Sequence, residues 1–199
     1  MVDDESAVRD AISFLLVSRK LNVRAFASGA ALLDGLSEFP QPANVPGCFL
    51  LDIRMKSMSG PAIHDALIER GFRNPVLYLS AHGDIPLAVA ALKKGAFDYF
   101  EKPASDNVLC ERLELALEID AMSRQEDARL SEHRARLASL SEREREVMYL
   151  VASGIHNKSI ADKLHVSQRT IEVHRSRVFA KLAVRSAPEV ATLLARLKQ

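Results

Sequence analysis

Cys48-Phe49-Leu50-Leu51-Asp52-Ile53-Arg54-Met55 is an apolar run that closes on a carboxylate and then turns polar. Pro46-Gly47 precedes it and the turn-forming Lys56-Ser57-Met58-Ser59-Gly60 follows. A short apolar run between turn signals predicts a strand buried on both faces of a parallel sheet. Open α/β sheets place their chemistry just beyond the carboxyl ends of the strands, where Asp52 falls. An Asp after a strand also commonly caps a turn, so on this stretch alone Asp52 is equally a cap or a reactive group.

Toward the N-terminus, residues 40–47 read as a Pro-rich loop, residues 28–38 as a helix with Leu32, Leu33 and Leu36 inward, and residues 22–26 as a short strand. Met1-Val2-Asp3-Asp4-Glu5-Ser6 opens with three acids, and Val8, Ala11, Ile12, Leu15 and Leu16 then recur at helical spacing up to Lys20. Acids before a first helical turn ordinarily complement the helix dipole. Toward the C-terminus, Gly60-Pro61 starts a third helix that ends at Gly71, and Val76-Leu77-Tyr78-Leu79-Ser80 is a second buried strand. Asp84 and Pro86 begin a fourth helix that stops at Gly95, and residues 96–100 form a last strand delivering Glu101-Lys102-Pro103. Strand and helix alternate, which predicts the α/β class with a doubly wound parallel sheet. Asp52, Ser80 and Lys102 then stand at the ends of three successive strands, side by side on one edge.

From Asp106 the positions Leu109, Leu113, Ala116 and Leu117 describe a fifth helix, and residues 120–138 are strongly charged, which reads as a solvated helical linker. The remainder, 139–199, is a run of short helices. Ser141-Glu142-Arg143-Glu144 and Ser186-Ala187-Pro188-Glu189 are capping boxes, and His165-Val166-Ser167 is a tight turn between two helices. Two helices joined by such a turn, the second carrying cations outward, fit a helix-turn-helix, with a small helical dimerisation bundle as the competing reading. Charge supports the former: residues 1–118 carry 16 acids and 12 bases, net −4, while residues 119–199 carry 10 acids and 15 bases, net +5. A basic module joined to an acidic one suggests contact with a polyanion.

Several classes are set aside. Two cysteines make no disulfide framework, and six histidines lack metal-ligand spacing, so no zinc site is expected. No apolar stretch approaches the roughly 18 to 20 residues of a spanning helix, and the N-terminus lacks the pattern of a signal peptide. The expectation is a soluble, cytoplasmic protein without membrane contact.

Clustered carboxylates at Asp3, Asp4 and Asp52 would repel one another unless a cation joined them, and an all-oxygen donor set suits Mg²⁺. A carboxylate beside such an ion and a lysine is the equipment for accepting a phosphoryl group, with Lys102 neutralising its oxygens and the Ser80 hydroxyl donating to one of them.

With these residues in place, the chain resembles a bacterial two-component response regulator of the FixJ type, a flavodoxin-like receiver domain followed by a LuxR-type helix-turn-helix. The receiver signature is Val2-Asp3-Asp4-Glu5, Leu51-Asp52-Ile53-Arg54-Met55, Leu79-Ser80-Ala81-His82-Gly83-Asp84 and Phe100-Glu101-Lys102-Pro103; the output signature is Leu140-Ser141-Glu142-Arg143-Glu144, Asn157-Lys158-Ser159-Ile160-Ala161 and Thr170-Ile171-Glu172-Val173-His174-Arg175. The resemblance implies a receiver at 1–119, a linker at 120–138 and a DNA-binding domain at 139–199. It implies Asp52 as phospho-acceptor, Mg²⁺ held by Asp3, Asp4, Asp52 and the Arg54 backbone carbonyl, Lys102 as phosphate-binding lysine before a cis bond to Pro103, and Ser80 and Tyr99 as paired switch residues. In the output domain it places Glu172, Val173 and Ser176 against bases, Lys158, Arg169, Arg175, Arg177 and Lys181 against phosphates, and Thr170 in the same DNA-binding set. Implied partners are a sensor histidine kinase, double-stranded DNA, RNA polymerase and a second copy after phosphorylation, through the face of the fourth helix and last strand.

Three departures from the family pattern matter. Only Met1 and Val2 precede Asp3 where an apolar first strand is usual, which predicts a gap beside the Asp52 strand and either an upstream start or a damaged receiver. Lys56 and Ser57 replace Pro and Gly after the acceptor, and Ala104 replaces a Phe. Two further readings compete with a switched regulator. One is a DNA binder independent of phosphorylation, and the other a Mg²⁺-dependent phosphatase with Asp52 as nucleophile. The phosphatase would ordinarily need a second acid where Arg54 stands; the expectation is that the chain is not an enzyme.

Overall fold

The structure, a computed structural model, describes residues 1–39, 45–81 and 85–197. Two compact units divide the chain, Met1–Arg124 and Gln125–Gln199.

In the first unit β1 (Phe49–Asp52), β2 (Val76–Ser80) and β3 (Asp98–Glu101) form a parallel sheet in that order. Asp52 lies opposite Leu79, and Ser80 opposite Glu101. Every residue of β1 and β2 is buried, because helices cover both faces. Phe49, Leu51, Val76 and Tyr78 pack toward α2 (Gly29–Leu36), α3 (Gly60–Glu69) and α4 (Ile85–Lys93). The alternate residues Leu50, Leu77 and Leu79 pack toward α1 (Ser6–Ser18) and α5 (Asp106–Ala138). Local sequence sets the helix starts: the Ser28 hydroxyl accepts from the Ala31 amide, and that of Ser59 from the Ala62 amide, with Pro61 in the first turn of α3.

The expected gap beside Asp52 is closed at Asp52 itself. Val2 bridges Leu51 on one side and Phe26 on the other; its amide donates to the Leu50 carbonyl at 2.8 Å and its carbonyl accepts from the Asp52 amide at 2.8 Å. Farther toward the start of β1 there is an apolar cavity of about 420 Å³ lined by Met1, Leu16, Leu36, Phe49, Leu50 and Leu113 among others. The strand expected at 22–26 reduces to the single bridge at Phe26, since an extended segment becomes a strand only where a partner runs alongside it. The last strand begins two residues later than expected, at Asp98. Residues 40–44 of the Pro-rich loop, and His82, Gly83 and Asp84 with the expected start of the fourth helix, lie outside the described residues.

The fifth helix and the expected linker are one continuous α5 of 33 residues. Its charged half is not solvated throughout. Asp120 is buried and accepts from the Gly47 amide at 3.0 Å, the Asn74 side-chain amide at 3.2 Å and Arg124 Nε at 2.8 Å, tying the helix to the loops that feed β1 and β2.

A buried polar pair joins α3 to the sheet: His64 Nδ1 lies 2.9 Å from the Tyr78 hydroxyl. Burial, with Lys94 nearby, pushes the His64 imidazole below its ordinary 6.5, while Asp65 acts the other way. The unfolded chain therefore binds this proton more readily, so the stability it contributes is complete above 6.5 and is lost as pH falls through the folded value. Thermal midpoints taken from about pH 7 to about pH 5 should drop more for the wild type than for His64→Gln, which does not titrate; parallel curves would contradict this.

In the second unit α6 (Glu142–Ala152), α7 (Asn157–Leu164), α8 (Gln168–Leu182) and α9 (Ala187–Arg196) follow the end of α5. Val147, Val151, Ile160, Ala161 and Ile171 form one buried cluster, and Leu140, Met148, Val178, Leu182, Val190 and Leu193 another. The Ser141–Glu144 capping box is present with both of its hydrogen bonds. His165, in the left-handed region at φ 53°, turns the chain between α7 and α8, and the Ser167 hydroxyl accepts from the Thr170 amide to start α8.

Candidate functional site

Three strand ends and the first turn before α1 converge at the carboxyl edge of the sheet. Asp3 and Asp52 are buried and Asp4 half-buried, and each offers a carboxylate oxygen within 4.8 Å of the others. Backbone donors hold two of them in place. The Glu5 amide donates to Asp3 Oδ1 at 2.9 Å, and the Lys56 amide to Asp4 Oδ2 at 3.3 Å. Arg9, which sequence reasoning missed, donates to the Asp3 carbonyl at 2.8 Å and anchors the turn from α1. Its signal was a cation one helical turn after the acids, visible only once Asp3 was known to turn inward.

Lys102 arrives from the residue after β3, fixed by its amide donating to the Ser80 carbonyl at 2.7 Å and followed by a cis bond to Pro103. Its ammonium reaches Asp3 Oδ2 at 2.6 Å and Asp52 Oδ1 at 2.9 Å. Burial raises the Asp52 pKa, Lys102 pulls it back, and Asp3 and Asp4 add to the rise. For Lys102, burial alone would favour loss of the proton, but hydrogen bonds to Asp3 and Asp52 outweigh it and hold the ammonium charged. The fixed ammonium beside the buried Asp52 carboxylate offsets part of the cost of burying its charge and holds one of its oxygens in place.

Ser80 is buried at the end of β2, one strand from Asp52, and Tyr99 is half-buried on β3 opposite Tyr78. Arg54 follows two residues after Asp52 with its side chain exposed. Gly60 explains the glycine at the start of α3: a Cβ there would lie 2.5 Å from the Asp52 carbonyl oxygen and 3.1 Å from Tyr78 Cε1. Gly60→Ala should therefore destabilise the first unit by about 1–3 kcal/mol and shift the strand end bearing Asp52. Denaturant unfolding would measure this, and an unchanged midpoint would contradict the close approach.

Metal fit can be judged from the donors. Three carboxylates from two segments, with no nitrogen or sulfur among them, suit a hard divalent cation such as Mg²⁺. Asp3, Asp4 and Asp52 are the residues that would hold it.

On the second unit, Arg169, Glu172, Val173, Ser176 and Arg177 are exposed on α8 and Lys158 on α7, with Thr170 half-buried. Ile171, Val178 and Leu182 face the core. Two expected DNA contacts are engaged inside the unit. Lys181 Nζ donates to Glu144 Oε2 at 2.6 Å and to the Ser139 carbonyl at 3.1 Å, so it stands as an internal tie rather than a free cation. That hydrogen bond, with the Ser141 amide, lowers the Glu144 pKa. Arg175 reaches α7, where its Nη1 donates to Asn157 Oδ1 at 2.6 Å.

These two sites on one chain meet two sequence families. The response regulator receiver domain matches residues 1–114, and the luxR family of bacterial regulatory proteins matches residues 138–194. The chain belongs to the two-component response regulators with a LuxR-type DNA-binding domain. Relatives of this response regulator include the C4-dicarboxylate transport transcriptional regulatory protein DctR of Rhodobacter capsulatus, 44% identical over 97% of this chain and 96% of that protein. The transcriptional regulatory protein FixJ of Azorhizobium caulinodans is 41% identical over 97% of this chain and 89% of its own length. Among solved structures, the response regulator StyR covers 98% of this chain and 96% of its own at TM-score 0.87 and 33% identity.

Proposed function

We propose that this response regulator is switched by phosphorylation of Asp52 and binds DNA through α8. The observation that carries the reading is the Lys102 ammonium bridging Asp3 and Asp52 beside Asp4 at the ends of adjacent strands. One Asp52 carboxylate oxygen attacks the phosphorus of the phosphodonor, the phosphohistidine of a sensor kinase, as the bond from phosphorus to that histidine breaks. Lys102 shares its charge between the acceptor and the incoming oxygens. A bound Mg²⁺, held by Asp3, Asp4, Asp52 and the Arg54 carbonyl, supplies further neutralisation of phosphoryl charge.

The phosphoryl group adds a charge of about −1.5 to −2 and new acceptor oxygens. The Ser80 hydroxyl moves to donate to one of them, and Tyr99 turns into the space vacated, remodelling the surface of α4 and β3. The exposed side chains Ile85, Val89 and Leu92 on α4 give that surface an apolar face for a second copy. A dimer presents two α8 helices to paired half-sites, with Glu172, Val173 and Ser176 toward bases, Lys158, Arg169, Thr170 and Arg177 toward the backbone, and RNA polymerase as the downstream partner. Measuring affinity for genomic DNA fragments with and without acetyl phosphate tests this: tighter binding with the phosphodonor is expected, and equal binding would favour the phosphorylation-independent reading.

A further inference from the structure

Asn157 is the first residue of α7, directly after the N-cap position held by His156. Its side-chain carbonyl reaches across to α8 and accepts from Arg175 Nη1 at 2.6 Å. On its other side the Arg175 guanidinium carbon lies 5.4 Å from the centroid of the Phe179 ring. The side chain is thus held by a charge-assisted hydrogen bond and by a ring face, in a rotamer that an exposed arginine would have to adopt at an entropic cost. It lines an open concavity of about 480 Å³ between α7 and α8, together with His156, Asn157, Lys158, Gln168 and Glu172. A guanidinium has five N–H donors, so one bond to Asn157 leaves others for an anion at this opening, beside the exposed Lys158.

We propose that Asn157 is a positioning residue for Arg175, holding its guanidinium against Phe179 so that it meets a DNA phosphate in one fixed orientation. The inference rests on the DNA-binding reading above and deepens it. Asn157 itself touches no nucleic acid and acts only through Arg175. The plainer role of the pair, a tie between α7 and α8, makes a different prediction for each measurement below.

The test is a double-mutant cycle in the full chain with acetyl phosphate present, using a duplex of random sequence, because a phosphate contact is independent of sequence. Arg175→Ala should weaken binding and reduce the slope of log affinity against log salt by about one. Asn157→Ala should weaken binding by about tenfold in the wild-type background and by less than about twofold once Arg175 is alanine. Asn157→Gln, which moves the acceptor by one methylene, replaces the alanine variant should that fail to fold. Additive losses, or an unchanged salt slope accompanied by a lower thermal midpoint, would overturn the proposal in favour of a helix tie. Failure of the wild type to bind the duplex at all would instead remove the DNA-binding reading beneath it.

Discussion

Asp52→Asn should abolish the response of DNA affinity to acetyl phosphate while leaving the fold intact. Asparagine has the shape of aspartate, so the close packing of β1 against Val2 and Leu79 is kept. What disappears is the ionised oxygen that attacks phosphorus and one of three clustered carboxylates. Because Asp3 and Asp4 both push the Asp52 pKa up, removing its charge relieves repulsion and offsets the loss of the Lys102 ion pair. The expected result is a ratio of affinities with and without phosphodonor that falls to about one, at a thermal midpoint within a few degrees of the wild type. A variant that still responded to acetyl phosphate would place the acceptor elsewhere.

Ile160→Ala should have the other large effect, on the second unit. Ile160 is 0% exposed and fills the junction of α6, α7 and α8 with Val147, Val151 and Ile171. Truncating a fully buried isoleucine costs about 2–5 kcal/mol, and a unit of this size has little more than about 5 kcal/mol to lose. DNA binding should therefore fail through unfolding of α7 and α8. The first unit has its own core on both faces of its sheet, so phosphorylation should persist. Circular dichroism melting paired with acetyl phosphate labelling checks both halves; loss of labelling in this variant would contradict the independence of the two cores.

The parts legible in the sequence are those where local pattern and tertiary environment agree. β1 and β2 are continuous apolar runs because both faces are covered, and Ser28, Ser59, Ser141, Ser167 and Ser186 all accept hydrogen bonds at helix starts. The meeting of Asp52, Ser80 and Lys102 on one edge followed from the order of strand ends, whereas Asp3 and Asp4 join them only because the turn before α1 lies beside β1. Val2 was missed as a ladder residue because two residues are too few to show a period, although both of its backbone groups pair with β1. Asp120 was hidden by its neighbours: a stretch dense in charge reads as solvated, and nothing in it marks the one carboxylate with three donors waiting. Lys181 and Arg175 read as cations by type, and nothing local to either marks Glu144 and Asn157 as partners across the fold. Contacts between side chains distant in sequence carry no periodic signal.

Peptide mapping of the chain after reaction with acetyl phosphate in Mg²⁺ is the most direct measurement of the central claim. The account predicts one phosphoryl group, on the peptide containing Asp52, absent when the divalent cation is chelated. A phosphoryl group on any other residue, or none in a chain shown to be folded, would contradict it.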